Sequence, residues 1–155
     1  MLQFTVQCRP MPLFDLTQNH HHQLLMVARQ ARDQAYAPYS GYRVGAAVLD
    51  DQGVIHAGCN VENAAYPEGL CAEAAALAAM VLAGSTHALA VLVVGSGGEA
   101  GVGWITPCGG CRQKLREFGS PDLIVISANE SATGPSFTLA ELLPESFGPD
   151  HLKPR

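Results

Sequence analysis

Three cysteines in two short fragments constrain the fold of this chain most: Cys-Ala-Glu at 71–73 and Pro-Cys-Gly-Gly-Cys at 107–111. Three thiols are more than a redox pair needs and one fewer than a closed four-thiolate zinc site. Structural zinc is enclosed by protein ligands, whereas catalytic zinc keeps one position open for water. The fragments therefore predict one hydrolytic zinc centre with Cys71, Cys108 and Cys111 as ligands.

A carboxylate accompanies the first cysteine. Glu73 is too close in sequence to Cys71 to be an easy fourth ligand, and a carboxylate beside an open metal position can move the protons of water. We predict that Glu73 is the catalytic acid and base. The alternative is an ordinary glutamate in the first turn of a helix, a position that acids favour.

The spacing of apolar residues predicts alternating helices and strands, which indicates an α/β layered sheet. Glycines between 95 and 103 are expected to form a flexible connection. The predicted helices cover 17 to about 38, 71–83 and 108–118; the predicted strands cover 44–49, 54–59, 88–94 and 123–127, and 137–143 is a last short strand or helical turn. We expect an N-terminal arm over 1–15, one catalytic domain over 16–148 and a polar tail over 149–155.

Charge and composition restrict the partners. The chain has 155 residues, a net charge of −5 and nine scattered Lys and Arg residues, so we expect no nucleic-acid partner. It shows no apolar run of membrane-span length and no secretory signal, so we expect no membrane partner. Five cysteines without an export signal favour a reducing, cytoplasmic location and a metal site rather than disulfides.

Both cysteine fragments fall at predicted helix starts, where free N–H groups and the helix dipole favour thiolates. Cys108 and Cys111 lie one helical turn apart, so both sulfurs point to the same side. Two other interpretations remain open here. The Cys-x-x-Cys pair is redox-active, or Cys59 or a histidine completes a closed structural zinc site.

Four further segments resemble the cytidine deaminases, in particular the short class that forms homotetramers. They are Val-Gly-Ala-Ala at 44–47, Asn-Val-Glu-Asn-Ala at 60–64, Cys-Gly-Gly-Cys-Arg-Gln at 108–113 and Leu-Leu-Pro-Glu-Ser-Phe at 142–147. The resemblance extends from about residue 17 to residue 147. It implies a three-layer α/β/α sandwich with a mixed sheet of about five strands and one Zn²⁺ per subunit. The implied activity is the hydrolytic deamination of cytidine and deoxycytidine in pyrimidine salvage, with release of ammonia.

The resemblance also implies a substrate pocket shared between subunits of a homotetramer. Asn60 and Glu62 would bind the sugar hydroxyls, although the same residues are common in polar turns. A carboxylate at the 3′ side of the sugar would repel a phosphate, which favours a free nucleoside. The remaining implied substrate contacts are Tyr42 and Ala72, with Ala64, Tyr66 and Phe147 acting across the interface and Phe147 stacking on the base. As alternatives, Tyr42 and Phe147 are ordinary packing residues.

The chain departs from the family pattern at two places. Relatives commonly have arginine directly after the catalytic glutamate, where it offsets the charge of the thiolates, but this chain has Ala74. Arg112 is the nearest replacement in sequence, or else a surface helix residue. The second departure is Tyr42 with Arg43, where relatives usually have phenylalanine at the first position.

Two rival functions fit the cysteine pattern. One is a deaminase of a related aminopyrimidine nucleoside, such as a blasticidin-type antibiotic. The other is a binding module that zinc stabilises and that has no catalytic activity. The sugar-loop sequence at 60–64 favours an ordinary nucleoside substrate over the first rival.

Overall fold

The computed structural model describes residues 16–96 and 103–152; the predicted arm, the glycines at 97, 98 and 101 and the last three residues lie outside this part. The helices are α1 (Gln18–Asp33), α2 (Ala72–Leu82), α3 (Gly109–Phe118) and α4 (Leu139–Leu142); the strands are β1 (Arg43–Asp50), β2 (Ile55–Cys59), β3 (Ala88–Ser96), β4 (Ile124–Ala128) and β5 (Thr133–Thr138). No helix within the described residues has the length and apolar character needed to traverse a bilayer.

The five strands form one mixed sheet in the order β2-β1-β3-β4-β5. Strands β3 and β4 run parallel, and the other neighbours are antiparallel. A parallel pair needs a crossover connection, and α3 lies in the connection between β3 and β4. The predicted mixed sheet of about five strands is confirmed.

Helices cover both faces of the sheet. Along β3, Val91 and Val93 pack into a cluster with α2 and α3, whereas Ala90, Leu92 and Val94 pack into a second cluster with α1. This alternation is the two-residue period of a strand buried on both faces. The predicted three-layer α/β/α arrangement is therefore confirmed, with α2 and α3 on the same face.

Two glycines let the helices lie close to the sheet. A Cβ atom at Gly58 of β2 would lie only 2.2 Å from the backbone nitrogen of Ala76 and 2.3 Å from the carbonyl of Ala72, both in α2. On the opposite face, a Cβ atom at Gly45 would lie 1.9 Å from the carbonyl of Ala28 in α1. Any side chain at Gly58 would push α2 outward, so this glycine sets the position of the start of α2.

Helix α1 ends at Asp33, before the predicted limit near Pro38. The chain instead extends at Tyr36, whose N–H donates to the carbonyl of Asn60 (3.1 Å) and whose carbonyl accepts from Glu62 N–H (2.8 Å). Proline also disfavours a helical conformation at the residue before it. Long-range pairing with the 60–62 segment therefore replaces the last turn predicted from local pattern.

Two other predicted boundaries differ from the structure. Strand β3 continues through Gly95 to Ser96, so the connection begins later than predicted. The 137–143 segment holds only the end of β5 and all of α4, because β5 begins at Thr133. Pro135 lacks a ladder donor and obscures this strand in the sequence, but an edge strand tolerates proline. Residues Pro149–Leu152 form a 3₁₀ turn within the predicted tail.

A buried acid–histidine pair closes the β1–β2 hairpin. The Nε2 atom of His56 lies 2.8 Å from Oδ2 of Asp50, and both side chains are buried. The other oxygen of Asp50 accepts from the backbone N–H groups of Gln52 (3.0 Å) and Val54 (2.8 Å). Burial acts to raise the pKa of Asp50, but the hydrogen bonds from His56, Val54 and Gln52 outweigh it and hold the pKa below its ordinary value.

Replacing this carboxylate tests its contribution. Asp50→Asn is expected to lower the free energy of unfolding by about 3 kcal/mol near neutral pH, because removing one partner of a buried pair leaves the other uncompensated. Since the folded pKa of Asp50 is lowered, its contribution is complete above the unfolded pKa of about 3.9 and is lost as pH falls through the folded value. Chemical denaturation at several pH values should therefore show a difference that shrinks below about pH 4.

The neighbouring Asp51 provides a matched control for this measurement. Its side chain is far more exposed than that of Asp50 and lies 3.7 Å from Nδ1 of His87. Asp51→Asn should change the free energy of unfolding by no more than about 0.5 kcal/mol. A difference for Asp50→Asn that is the same at all pH values would contradict the assignment.

Candidate metal centre

The metal-ligand candidates lie at the starts of two helices. Cys71 is the N-cap residue of α2 and Cys108 is the N-cap residue of α3, both with extended backbone conformation. Neither side chain makes the capping hydrogen bond that Ser, Thr, Asp or Asn makes at this position. Both sulfurs are therefore available for a shared ligand between the helices.

The three predicted ligands form a compact cluster. The sulfurs of Cys71, Cys108 and Cys111 all lie within 4.8 Å of one another. The Cys71 and Cys108 sulfurs are 4.0 Å apart. A tetrahedral zinc ion with Zn–S bonds of about 2.3 Å needs sulfurs about 3.8 Å apart. The donor set and its spacing fit one zinc ion held by three thiolates, as the sequence predicted.

The protein alone does not favour three thiolates at this point. Burial raises the pKa of the Cys111 thiol well above its usual value, and the Glu73 carboxylate adds to the effect. Burial likewise raises the pKa of Cys71. At Cys108 burial acts in the same direction, but hydrogen bonds from Cys111 and Cys71 outweigh it and lower the pKa. A divalent cation reverses this balance, because a coordinating thiol is deprotonated outright.

Glu73 lies beside the sulfurs without belonging to their cluster. It occupies the first turn of α2, is only 4% exposed, and its Oε2 atom accepts from the Cys111 thiol at 3.3 Å. Across residues 16–96 and 103–152, the three cysteines are the only group of His, Cys, Asp or Glu side chains close enough to hold an ion. Neither Cys59 nor a histidine completes it, which leaves a fourth position for another molecule.

The side chain of the predicted sugar-binding asparagine already makes two hydrogen bonds to the backbone at the start of β1. The side-chain oxygen of Asn60 accepts from Val44 N–H (2.8 Å), and its Nδ2 atom donates to the carbonyl of Tyr42 (2.9 Å). An amide can make about four hydrogen bonds, so one donor and one acceptor site of Asn60 are left. These bonds fix the side chain beside the half-buried Tyr42.

The predicted sugar-binding glutamate is held by the loop after α1. Glu62 accepts from the backbone N–H groups of Tyr39 (2.8 Å) and Ser40 (3.3 Å) and from the Ser40 hydroxyl. These bonds, the Ser40 hydroxyl first, lower the pKa of Glu62, so the carboxylate is ionised at neutral pH. Glu62 shares a surface hollow with Tyr66, and its other walls are Tyr39, Ser40, Asn63 and Gly69.

The loop that carries these residues leads directly to the metal cluster. Val61 and Leu70 exchange two backbone hydrogen bonds of 2.9 Å, which close the loop immediately before Cys71. Ala64 and Tyr66 are exposed on this loop, and Ala72 is fully buried at the first residue of α2. Phe147 lies in the C-terminal segment (residues 143–152), where the residue is 58% exposed.

Comparison with known proteins identifies the family. Residues 18–127 match the family described as the cytidine and deoxycytidylate deaminase zinc-binding region. The cytidine deaminase of Sporosarcina psychrophila is 40% identical over 83% of this chain and 92% of its own length. The chain belongs to the cytidine deaminase family.

Two further relatives agree with this assignment. The cytidine deaminase of Mycobacterium tuberculosis is 42% identical over 81% of this chain and 87% of its own length. A crystal structure of the Burkholderia pseudomallei cytidine deaminase superposes with a TM-score of 0.74, at 42% identity, over 82% of this chain and 98% of that one. These relatives do not favour an antibiotic deaminase or a zinc-stabilised binding module without catalytic activity.

Arg112 does not replace the arginine that many members of this family have after the glutamate. Its guanidinium donates to the carbonyls of Pro107 and Leu142 (2.8 Å each) and to the Thr106 hydroxyl (3.1 Å). Both suggested roles, a partner for the sulfurs and a surface helix residue, are therefore wrong. Arg112 instead ties the loop before Cys108 to the end of α4.

The residues that hydrogen-bond the predicted substrate-binding residues and hold them in place were not identified from the sequence. Ser40 holds Glu62, and Gln113 and Arg116 of α3 bind the C-terminal segment. The available signal for α3 was its polar residues after Cys111, which continue on both sides of Leu115. That pattern is also typical of a solvent-exposed helix face, so it does not by itself identify partners.

Removal of one sulfur tests the metal centre. Cys111→Ala is expected to reduce the zinc content of the purified protein to a small fraction of one ion per subunit, because two thiolates cannot complete the tetrahedral site. Atomic absorption spectroscopy measures the content directly. Cys59→Ala is the matched control, since the same change outside the cluster should leave zinc in place. Full zinc occupancy in Cys111→Ala would rule out this ligand set.

Proposed function

We propose that this protein catalyses the hydrolytic deamination of cytidine and deoxycytidine to uridine and deoxyuridine, with release of ammonia. The observation that carries the proposal is the three-sulfur cluster, which no fourth His, Cys, Asp or Glu of the described residues joins, with a buried carboxylate beside it. A closed structural site would leave Glu73 without a task. The resemblance of the chain to cytidine deaminases over four-fifths of its length supplies the substrate class.

The reaction assigns one carboxylate to several proton transfers. Bound zinc supplies a Lewis acid that makes water a nucleophile near neutral pH. Glu73 takes a proton from the attacking water and delivers it to ring N3 while the water oxygen bonds to C4. Glu73 then takes the remaining proton from the new C4 hydroxyl and passes it to the amino group; the C4–N bond breaks as the C4 carbonyl forms, and ammonia leaves. The burial of Glu73 keeps bulk water from competing for these protons.

The loop around Glu62 supports a free nucleoside as the substrate. A carboxylate offers about four acceptor positions, and the loop after α1 uses three of those on Glu62, so one position is left for a sugar hydroxyl. Asn60 contributes its remaining donor and acceptor to the same sugar. Because Glu62 is ionised, a phosphate on the neighbouring sugar position would be repelled.

The substrate site is proposed to be completed by neighbouring subunits of a homotetramer. Large apolar side chains are exposed around the loop next to the metal cluster, and a cluster of this kind marks a surface that a partner covers. They are Tyr36, Tyr39, Val61, Tyr66 and Leu70. Phe147, exposed on the C-terminal segment, is proposed to reach the base bound by a neighbour, and Ala64 and Tyr66 line the shared interface. Pyrimidine salvage in the cytoplasm is the proposed setting.

The role of Glu73 can be separated from zinc binding. Glu73→Gln is expected to retain zinc and fold but to lower kcat for cytidine by at least about 10²–10⁴-fold, the usual contribution of general acid–base catalysis. Ammonia release measures turnover, and zinc analysis of the same sample checks the metal. Glu117→Gln, an exposed glutamate on α3, should match wild type in both assays. Near-normal turnover in Glu73→Gln would reject the proposed acid and base.

Mixed subunits test whether sites are shared. Phe147→Ala should raise KM for cytidine, and Glu73→Gln should be inactive. If Phe147 serves a neighbouring site, co-expression of the two variants produces some sites with an intact Glu73 and an intact Phe147. These assemblies should regain a kinetic component with wild-type KM, which physical mixing of folded tetramers would not produce. Failure to regain it in co-purified mixed assemblies would place Phe147 in its own subunit's site.

A further inference from the structure

The C-terminal segment folds back along the helix that carries Cys111. Gln113 donates from Nε2 to the carbonyl of Phe147 at 2.9 Å. Arg116, one turn further along α3, donates from Nε to the Ser146 hydroxyl at 3.3 Å and from Nη2 to Oδ2 of Asp150 at 3.2 Å. These contacts hold the chain on both sides of Phe147.

The segment encloses the Arg116 side chain. Arg116 is only 8% exposed, and a Cβ atom at Gly148 would lie 2.5 Å from its Cζ atom. The backbone of Gly148 therefore lies directly on the guanidinium, and a larger residue there would require the Arg116 side chain to shift. Ser146, Gly148 and Asp150 contact Arg116 from three sides, whereas Phe147 between them points outward.

The outward ring is itself held in place. Phe147 stacks on His151 with ring centroids 5.1 Å apart and an interplanar angle of 23°. The backbone N–H of His151 donates to the carbonyl of Gly148 at 3.0 Å, and His151 Nδ1 lies 3.1 Å from Gly148 N. An exposed phenylalanine that is already ordered loses less conformational entropy when it binds a ligand.

We propose that Arg116 is a positioning residue for nucleoside binding, which acts by fixing Phe147. The inference rests on the proposed function, in which Phe147 stacks on the base. Arg116 is covered by the segment and donates to it rather than to a substrate. Because Cys108, Cys111 and Arg116 belong to one continuous helix start and body, α3 fixes the metal ligands of its own subunit and also the ring that this subunit offers to a neighbouring site.

Steady-state kinetics with cytidine tests this role. Arg116→Met keeps the buried stem and removes the donors, so Phe147 should lose its fixed position. Base–aromatic stacking corresponds to about 5- to 150-fold in affinity, and partial loss of it should raise KM about tenfold. Because Arg116 does not take part in proton transfer, kcat should stay within about twofold of wild type. Arg116→Lys, which restores one charged donor, should recover part of the loss.

Lys114→Met is the matched control. It removes one positive charge from the same helix through the same new side chain, but at an exposed position. Its KM and kcat should equal those of wild type. Asp150→Asn weakens the contact between Asp150 and Arg116 by changing its half-exposed partner. This variant replaces Arg116→Met in the test if Arg116→Met does not fold. It should raise KM about threefold, in line with a single partly exposed contact.

A double variant separates positioning from general destabilisation. If Arg116 acts through Phe147, the KM of Arg116→Met with Phe147→Ala should equal that of Phe147→Ala alone. The inference would be overturned if the KM increases of the two single variants multiply in the double variant. It would also be overturned if Arg116→Met lowers kcat and loses zinc. An unchanged KM in Arg116→Met and Asp150→Asn would overturn it as well. Absence of ammonia release by wild type would overturn the proposed function instead, and the inference with it.

Discussion

The contact between the starts of α2 and α3 is the constraint on which the rest of the structure depends. It gathers three sulfurs within 4.8 Å, although burial raises the pKa of two of them. Such a cluster is stable as thiolates only around a cation, so metal binding is coupled to the release of the thiol protons. The sheet fixes both helix starts: Gly58 lets α2 approach β2, and α3 belongs to the crossover between β3 and β4. Small shifts in either helix would spread the sulfurs beyond the reach of one ion.

The charge of this cluster is compensated differently from that of relatives with an arginine after the glutamate. Three thiolates on Zn²⁺ carry a net charge of −1, and Ala74 offers nothing to offset it. All three nitrogens of the Arg112 guanidinium donate elsewhere, to Pro107, Leu142 and Thr106. The positive ends of α2 and α3 remain. A helix end supplies partial charge, so more negative charge should stay on the sulfurs and the zinc should be a weaker Lewis acid.

The sequence predicted those parts of the structure that depend on local pattern. Cysteine spacing predicted the sulfur cluster, and short apolar runs predicted β1 to β4 within one or two residues. The prediction from sequence was wrong where contacts between distant segments determine the structure. Tyr36 pairs with Asn60 and Glu62, which ends α1 early, and Pro135 hides an edge strand that β4 nevertheless pairs. Leu142, one of the partners of Arg112, and both partners of Arg116 lie 30 or more residues away in sequence. A polar residue on a helix shows its chemistry in the sequence, but only folding shows what it binds.

The C-terminal segment explains how one helix can serve two tasks. The first turn of α3 carries metal ligands, which tolerate little displacement, and its later turns bind the segment through Gln113 and Arg116. A ring fixed to this helix is ordered before any partner arrives, while the 58% exposure of Phe147 leaves a face free for contact. Tyr39 and Tyr66, the aromatic side chains that line the Glu62 hollow, are likewise exposed and available for contact. Exposure of apolar surface to water is unfavourable in free energy. Covering this surface with another subunit would therefore stabilise the assembly and would also exclude water from the site.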